Sequence, residues 1–323
     1  MQPLVNRCLA VLATTLLCAG IAQAQPYPNK PIRVIVPFAP GGTSDQMGRA
    51  LAEKMAAMLG QPVIIDNKPG ANGLLGADIV AKAAPDGYTI LLGTNSTNAA
   101  LKYLMKKLPY DQDTAFAPIG TIGSVPLMVV LGNDVPAKTL KEFVDLAKAR
   151  PGDLSFAYTA TSEQVAAEML ARMAGIQLNP IPYKSGGTAM TDLLGGRVTM
   201  ITVSVAATAP HHRAGKIRGL AVTSAKRSAA APELPTVNEA LGLKDYELIA
   251  YFAVFAPAGT PAEVIARLNQ AVNAAASSKE IQDKFAPIGF VFEPGTPEAL
   301  ARRNKLETAK WEKLIRDAKI EPQ

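Results

Sequence analysis

The sequence predicts two α/β lobes built on parallel-rich sheets and joined by strands that cross between them. Short apolar, β-branched runs alternate with amphipathic helical runs, and this rhythm stops once and then restarts. No Ser/Gly tether and no fixed-period repeat separates the halves, which favours crossing strands over a flexible linker.

In the first half, Ile32-Arg33-Val34-Ile35-Val36 reads as a buried strand that Pro37 stops. After a Gly-rich turn, Met47, Leu51, Met55 and Met58 recur at helical spacing. A strand at 63–65, a helix at 73–84, a strand at 88–92 after Pro85-Asp86-Gly87, and a helix at 96–105 follow. The second half reads as a strand at 127–131, a helix at 139–149 capped by Thr139, a strand at 155–158 and a helix at 163–174. Strands at 180–183, 198–203 and 217–223 follow, with a helix at 188–194 between the first two. Beyond Pro235 come a strand at 248–256 and helices at 261–276 and 297–318. A ligand is expected between the lobes, at the carboxyl ends of the strands.

Composition narrows the class. With 48% hydrophobic and 19% charged residues, the chain is neither disordered nor fibrous. Aromatic residues make up 6%, with one Trp, too few for a stacking surface along single-stranded nucleic acid. The net charge of +6 is spread without a basic run, so no nucleic-acid partner is expected. Residues 1–24 read as a secretory signal: one Arg, an apolar stretch from Cys8 to Ile21, and Ala22-Gln23-Ala24 as the processing site before Gln25. That stretch is shorter than the roughly 20 residues of a spanning helix. Cleavage there removes both cysteines, Cys8 and Cys18, and with them any disulfide, thiol nucleophile or Cys-ligated metal.

The most informative segment is Val36-Pro37-Phe38-Ala39-Pro40-Gly41-Gly42-Thr43-Ser44-Asp45, between the first strand and first helix. Gly41 and Gly42 allow a tight turn and close approach to a ligand, and Thr43 or Ser44 can cap the helix. A helix start carries roughly half a positive charge, so a carboxylate can bind there without an arginine. A plain strand-to-helix turn has the same residues, and local chemistry leaves the two readings open. The segment is neither a Walker A loop nor a G-x-G-x-x-G fingerprint.

Four other loops have similar chemistry. Gly93-Thr94-Asn95-Ser96-Thr97-Asn98 follows the third strand at the same end of the sheet, and Asn95 or Ser96 also suits helix capping. Asn67-Lys68-Pro69-Gly70-Ala71-Asn72-Gly73 leads into the second helix. In the second half, Thr159-Ala160-Thr161-Ser162 and Tyr183-Lys184-Ser185-Gly186-Gly187-Thr188 each follow a strand. Lys184 is either a point charge for an anion or a surface lysine.

Enzymatic constellations are poor. His211 and His212 are adjacent, diverge on a helix, and read as surface residues. No G-x-S-x-G elbow, cofactor motif or metal-ligand spacing is present, so no cofactor and no metal are expected. Asp45 is better placed as a cap or loop brace than as a general base. The alternative function is an exported enzyme acting on a small carboxylic acid, with Asp45, Lys184 and Glu163 as its candidate groups.

The stretch from Tyr27 through Asp45, with Arg49, resembles the opening of the Bug-type solute receptors of tripartite tricarboxylate transporters. Further matches are Asn67-Lys68-Pro69-Gly70-Ala71-Asn72-Gly73, Ala84-Pro85-Asp86-Gly87-Tyr88-Thr89, Asp192-Leu193-Leu194-Gly195-Gly196, the run from Ala214 to Ser228, and Leu234-Pro235-Thr236-Val237. They span the chain beyond the signal. The resemblance implies a periplasmic, type II periplasmic binding protein fold of two lobes with two crossover segments. Residues 25–123 and 228–323 would form the first lobe, with the C-terminal helix free to pack on the second, and 124–227 the second lobe. It implies a receptor, not an enzyme, that closes on a di- or tricarboxylate, an acidic amino acid or an aromatic acid. Carried over, Phe38, Ala39, Gly41, Gly42, Thr43, Ser44, Asp45, Thr94, Asn95 and Ser96 would hold one carboxylate. Thr159, Thr161, Ser162, Lys184, Gly186, Gly187, Thr188 and Ser204 would complete the site. The implied partners are the membrane permease subunits and, in some relatives, a sensor kinase ectodomain, with the receptor itself monomeric.

One stretch departs from the family. Relatives carry a Ser/Gly-rich turn ending in His before the second-lobe helix, where this chain has Thr159-Ala160-Thr161-Ser162-Glu163-Gln164. Ala160 takes a positive φ less easily than Gly, so a different loop shape is expected. Glu163 there would repel a second carboxylate or bind a ligand amino group.

Overall fold

The computed structural model describes residues 27–317 and 320–322. The expected signal at 1–24 and the end of the last expected helix, Ala318, lie outside them. In chain order the strands are β1 (Ile32–Val36), β2 (Val63–Asn67), β3 (Thr89–Thr94), β4 (Phe116–Leu131) and β5 (Ser155–Tyr158). They continue as β6 (Asn179–Pro182), β7 (Met200–Ser204), β8 (Arg218–Val222), β9 (Ile249–Pro257) and β10 (Val291–Phe292). The helices are α1 (Thr43–Leu59), α2 (Leu74–Ala81), α3 (Leu101–Leu104), α4 (Leu140–Ala149), α5 (Thr161–Ala174) and α6 (Gly186–Leu194). They continue as α7 (Val205–Arg213), α8 (Val237–Leu241), α9 (Ala262–Ala276), α10 (Lys279–Phe285) and α11 (Pro297–Asp317).

β1 lies between β2 and β3, parallel to both. Its apolar run serves two cores: Val34 and Val36 enter one and Ile35 the other. That is the demand on a strand covered on both faces. α1 covers the first face with Met47, Leu51, Met55 and Leu59, and Gly60 ends it in the left-handed region at φ 68°. Met58, expected in that stripe, is half exposed instead. In the second lobe β5 lies parallel to β6 and β7. Phe156 packs into the large core and Ala157 into a smaller one on the other side of the sheet.

The two halves share β4 and β9. The first part of β4 runs antiparallel to β9, with Phe116 opposite Pro257 and Pro126 opposite Ile249. Its last part, Leu127 to Leu131, pairs antiparallel with β7 and β8. One strand therefore serves both lobes, and the chain returns between β8 and β9. The crossing segments meet at Thr223, which is fully buried. Its N–H donates to Leu127 O at 2.9 Å, and its hydroxyl accepts the Leu127 N–H at 2.9 Å and donates to Leu248 O at 2.5 Å. Leu248 N–H closes the set by donating to Thr223 O at 3.0 Å.

The first part of β4 is absent from the sequence-level reading, which begins this strand at 127. Gly120, Gly123, Pro118 and Pro126 break its apolar pattern. The register shifts lie at Pro118/Gly120 and Thr121/Gly123, where the strand bulges. A Cβ on Gly123 would overlap the Val291 carbonyl oxygen of β10, so the glycine marks a close backbone approach. Helices α7, α8 and α10 were also not foreseen. α7 carries Pro210 and little apolar periodicity, whereas α8 is short and held by a capping box between Thr236 and Glu239. The helix expected at 96–105 is a π-type turn, Ser96–Ala100, followed by α3. α11 buries Leu300, Trp311 and Ile315 and packs on β4, the Ser96–Ala100 turn and α5.

Candidate functional site

Between the lobes lies a cleft of about 1210 Å³. Helices α1, α2, α5, α6 and α7 begin at its wall, where their N-cap residues Gly42, Gly73, Ala160, Ser185 and Ser204 stand. Only Ser185 caps its helix with its own side chain, accepting the Thr188 N–H at 3.2 Å. The other four starts carry no side-chain cap donor–acceptor bond. Helix starts with unsatisfied N–H groups and the positive end of the helix dipole attract an anion.

The first-lobe loop is held rigid from behind. Asp45 accepts the Gly41 N–H at 2.9 Å and pairs with Arg49 at 2.9 Å. Arg49 in turn donates to Asn67, and Asn67 donates to Phe38 O, each at 3.1 Å. Burial pushes the Asp45 carboxyl up, but bonds from Arg49, Gly41 and Asn67 outweigh it and hold it below the usual range. Asp45 therefore braces the loop and does not line the cleft. Neither Thr43 nor Ser44 caps α1, because Gly42 holds the N-cap position. The Thr43 hydroxyl instead reaches across to the Ser204 hydroxyl at 2.7 Å.

The next loop behaves similarly. Asn95 turns away and donates to Ile249 O of β9 at 2.8 Å, tying the loop to a crossing strand. Ser96 accepts the Ser162 N–H at 3.1 Å and lies 3.3 Å from the Ser162 hydroxyl. Two hydroxyl pairs thus bridge the lobes within the cleft wall. Thr94 lines the cleft, and its buried hydroxyl has no hydrogen-bond partner among the described residues.

In the second lobe, Ala160 is extended, at φ −138°, so glycine is not needed there. The loop is shaped by Glu163, whose carboxylate accepts the Thr159 N–H at 2.6 Å, the Thr159 hydroxyl at 2.8 Å and the Ala160 N–H at 3.3 Å. Burial pushes the Glu163 carboxyl up, and those bonds only partly offset it.

Of the residues singled out by sequence, Phe38, Ala39, Gly41, Gly42, Thr43, Ser44, Thr94, Ser96, Thr159, Ser162, Lys184, Gly186, Gly187 and Ser204 line the cleft. Asp45, Asn95, Thr161 and Thr188 do not. Thr161 is buried at the start of α5, and the Thr188 hydroxyl donates back to Ser185 O at 2.8 Å. Sequence reasoning missed Leu75, Tyr158, Tyr183, Met190, Ile201 and His211. His211 had a legible signal, being seven residues after Ser204 and so on the same helix face. His212 points elsewhere, accepting the Gly219 N–H at 3.2 Å and facing Glu233 at 3.2 Å.

Residues 47–320 match the TctC family, described as the tripartite tricarboxylate transporter family receptor. The chain is 38% identical over 318 residues to BugT of Bordetella pertussis, covering 97% of each. It is 36% identical over 307 residues to a UPF0065 protein of Pseudomonas sp. strain P51, covering 94% of this chain and 91% of that one. Among solved structures, R. palustris Rpa4515 with adipate has a TM-score of 0.88 at 34% identity, covering 92% of this chain and 100% of that one. MatC from Rhodopseudomonas palustris with bound malate has a TM-score of 0.85 at 30% identity, covering 90% and 100%. The architecture is that of the type II periplasmic binding proteins, and this chain belongs to the TctC, or Bug-type, family of tripartite tricarboxylate transporter receptors.

Proposed function

We propose that this chain is an extracytoplasmic receptor that captures a small carboxylate by lobe closure and delivers it to a tripartite tricarboxylate-type permease. The observation that carries the reading is the convergence on one cleft of the α1 and α7 starts, whose N–H donors have no side-chain cap. A carboxylate satisfies those donors without a cation of its own. The adipate and malate in two solved relatives support the same class of ligand. The carboxylates of the candidate enzyme are occupied: Asp45 braces its loop and Glu163 caps its own helix start. This supports binding without turnover. Export through cleavage after Ala24 would place the receptor in the periplasm, and among the described residues no helix is long and apolar enough to cross a membrane.

The test is a thermal-shift screen of refolded protein, freed of co-purified ligand, against mono-, di- and tricarboxylates, acidic amino acids and aromatic acids. A ligand at about 100 times its Kd adds roughly 2.7 kcal/mol to the folded state. A hit recovered chemically unchanged is expected. No shift with any carboxylate, or conversion of the hit, would overturn the reading.

A further inference from the structure

The titratable side chains of the cleft wall, tyrosines aside, are Glu163, Lys184 and His211. Glu163 is engaged by its own loop. The Lys184 ammonium and the His211 ring have no hydrogen-bond or ion-pair partner among the described residues; Lys184 is exposed and His211 is half buried. The cleft wall therefore holds two basic side chains without such a partner, and one acid whose Oε2 is taken up by its own loop.

Their placement follows from α7. Ser204, Ala207 and His211 share the helix face that lines the cleft. Ser204 touches Thr43 at the start of α1. At 1.5 Å per residue, His211 stands roughly 10 Å further along the wall. Between them, Ala207 and Pro210 line the cleft with carbon, and Met190 and Ile201 do so nearby. Along α7 the wall thus runs from a hydroxyl-rich, helix-start pole through an apolar middle to a basic end at His211.

Resting on the receptor reading above, we infer that His211 is a specificity-determining residue that reads the far end of the ligand and selects a second anionic group there. A carboxylate at the α1 start, with a short hydrocarbon body along the apolar middle, brings a second carboxylate to His211. A monocarboxylate of equal length would leave the basic end without a partner.

The experiment is calorimetric titration of the refolded protein with the diacids succinate through suberate. Each diacid is paired with the unbranched monoacid of the same carbon number. The wild type is expected to prefer the diacid, with the largest preference at one chain length. His211→Ala and His211→Gln should each reduce that diacid-to-monoacid ratio about tenfold, as expected for a lost charge-assisted bond. Using the ratio separates recognition from general damage, because a distorted cleft weakens both acids together. His211→Gln guards against a packing defect in the alanine variant. A wild type that binds neither series overturns this inference, and the receptor reading falls with it only if the wider carboxylate screen is also empty. A wild type that binds both acids equally, or a ratio unchanged in both His211 variants, overturns this inference and leaves the receptor reading standing.

Discussion

Thr223 is the sharpest place to test how the crossing segments hold the lobes. The perturbation is Thr223→Val, which keeps the shape and removes the hydroxyl. One proton cannot serve two acceptors, and it belongs to Leu248 O at 2.5 Å and not to Leu127 O at 3.2 Å. The variant leaves the Leu127 N–H without its acceptor and Leu248 O without that donor. Each buried group left unsatisfied costs about 1–3 kcal/mol, and the added methyl returns only a fraction of that. The expected loss is about 2–4 kcal/mol, or a melting point lower by roughly 3–6 °C in a chain of this size. Thr223→Ser keeps the hydroxyl and loses one methyl group, which costs about 1 kcal/mol. The assay is urea unfolding of all three proteins, with equal m values required before midpoints are compared. A valine variant as stable as the serine variant would refute the reasoning.

Three further outcomes follow from the same geometry. Gly76→Ala should weaken ligand binding, because a Cβ there would sit 2.8 Å from Pro37 Cα and push the first loop off α2; titration with the screened ligand checks this, and unchanged affinity would show that the loop yields freely. Burial raises the Glu163 carboxyl above 4.5. The folded state then holds this proton more tightly than the unfolded one, so its stabilising contribution is present at low pH and lost as pH rises past 4.5 through the folded value. Glu163→Gln should therefore gain stability relative to wild type across that window, apart from a constant offset for weakened loop bonds. Unfolding between about pH 4 and 7 tests it, and a pH-independent difference would contradict the burial argument. The double variant Thr43→Val with Ser204→Ala removes one bridge between the lobes, worth about 1 kcal/mol; small-angle scattering should report a larger radius of gyration without ligand, and an unchanged radius would show that this bridge does not hold the cleft shut.

The loops of the cleft were more legible in sequence than the strands that position them. Gly41-Gly42-Thr43-Ser44 and Tyr183-Lys184-Ser185-Gly186 announce themselves because small residues follow an apolar run and precede a helical one. The strand-to-helix rhythm placed β1, β5 and β9 to within a residue or two. The first part of β4 stayed hidden because its glycines and prolines, which mark bulges, look like loop residues. Side-chain direction was the second obstacle. Asp45, Asn95 and Thr161 sit in cleft loops yet turn into the protein, where each braces or fills it, and Thr188 folds back on Ser185. His211 reads as surface because adjacent residues diverge on a helix and the sequence does not say which face of α7 meets the cleft.

The second-lobe loop shows why a departure from a family pattern need not break a site. A glycine at position 160 would offer backbone freedom, but φ −138° requires none. The loop's shape comes from Glu163, whose one carboxylate oxygen gathers two backbone N–H groups and a hydroxyl across four residues. Ala160 and Glu163 are thus two parts of one solution: the side chain fixes a turn that backbone freedom alone would leave open. That solution occupies the acid near the cleft. It also leaves the Ser162 N–H facing the Ser96 hydroxyl across the lobes. Glu163 is therefore the residue that fixes this loop and with it the direction of the α5 start.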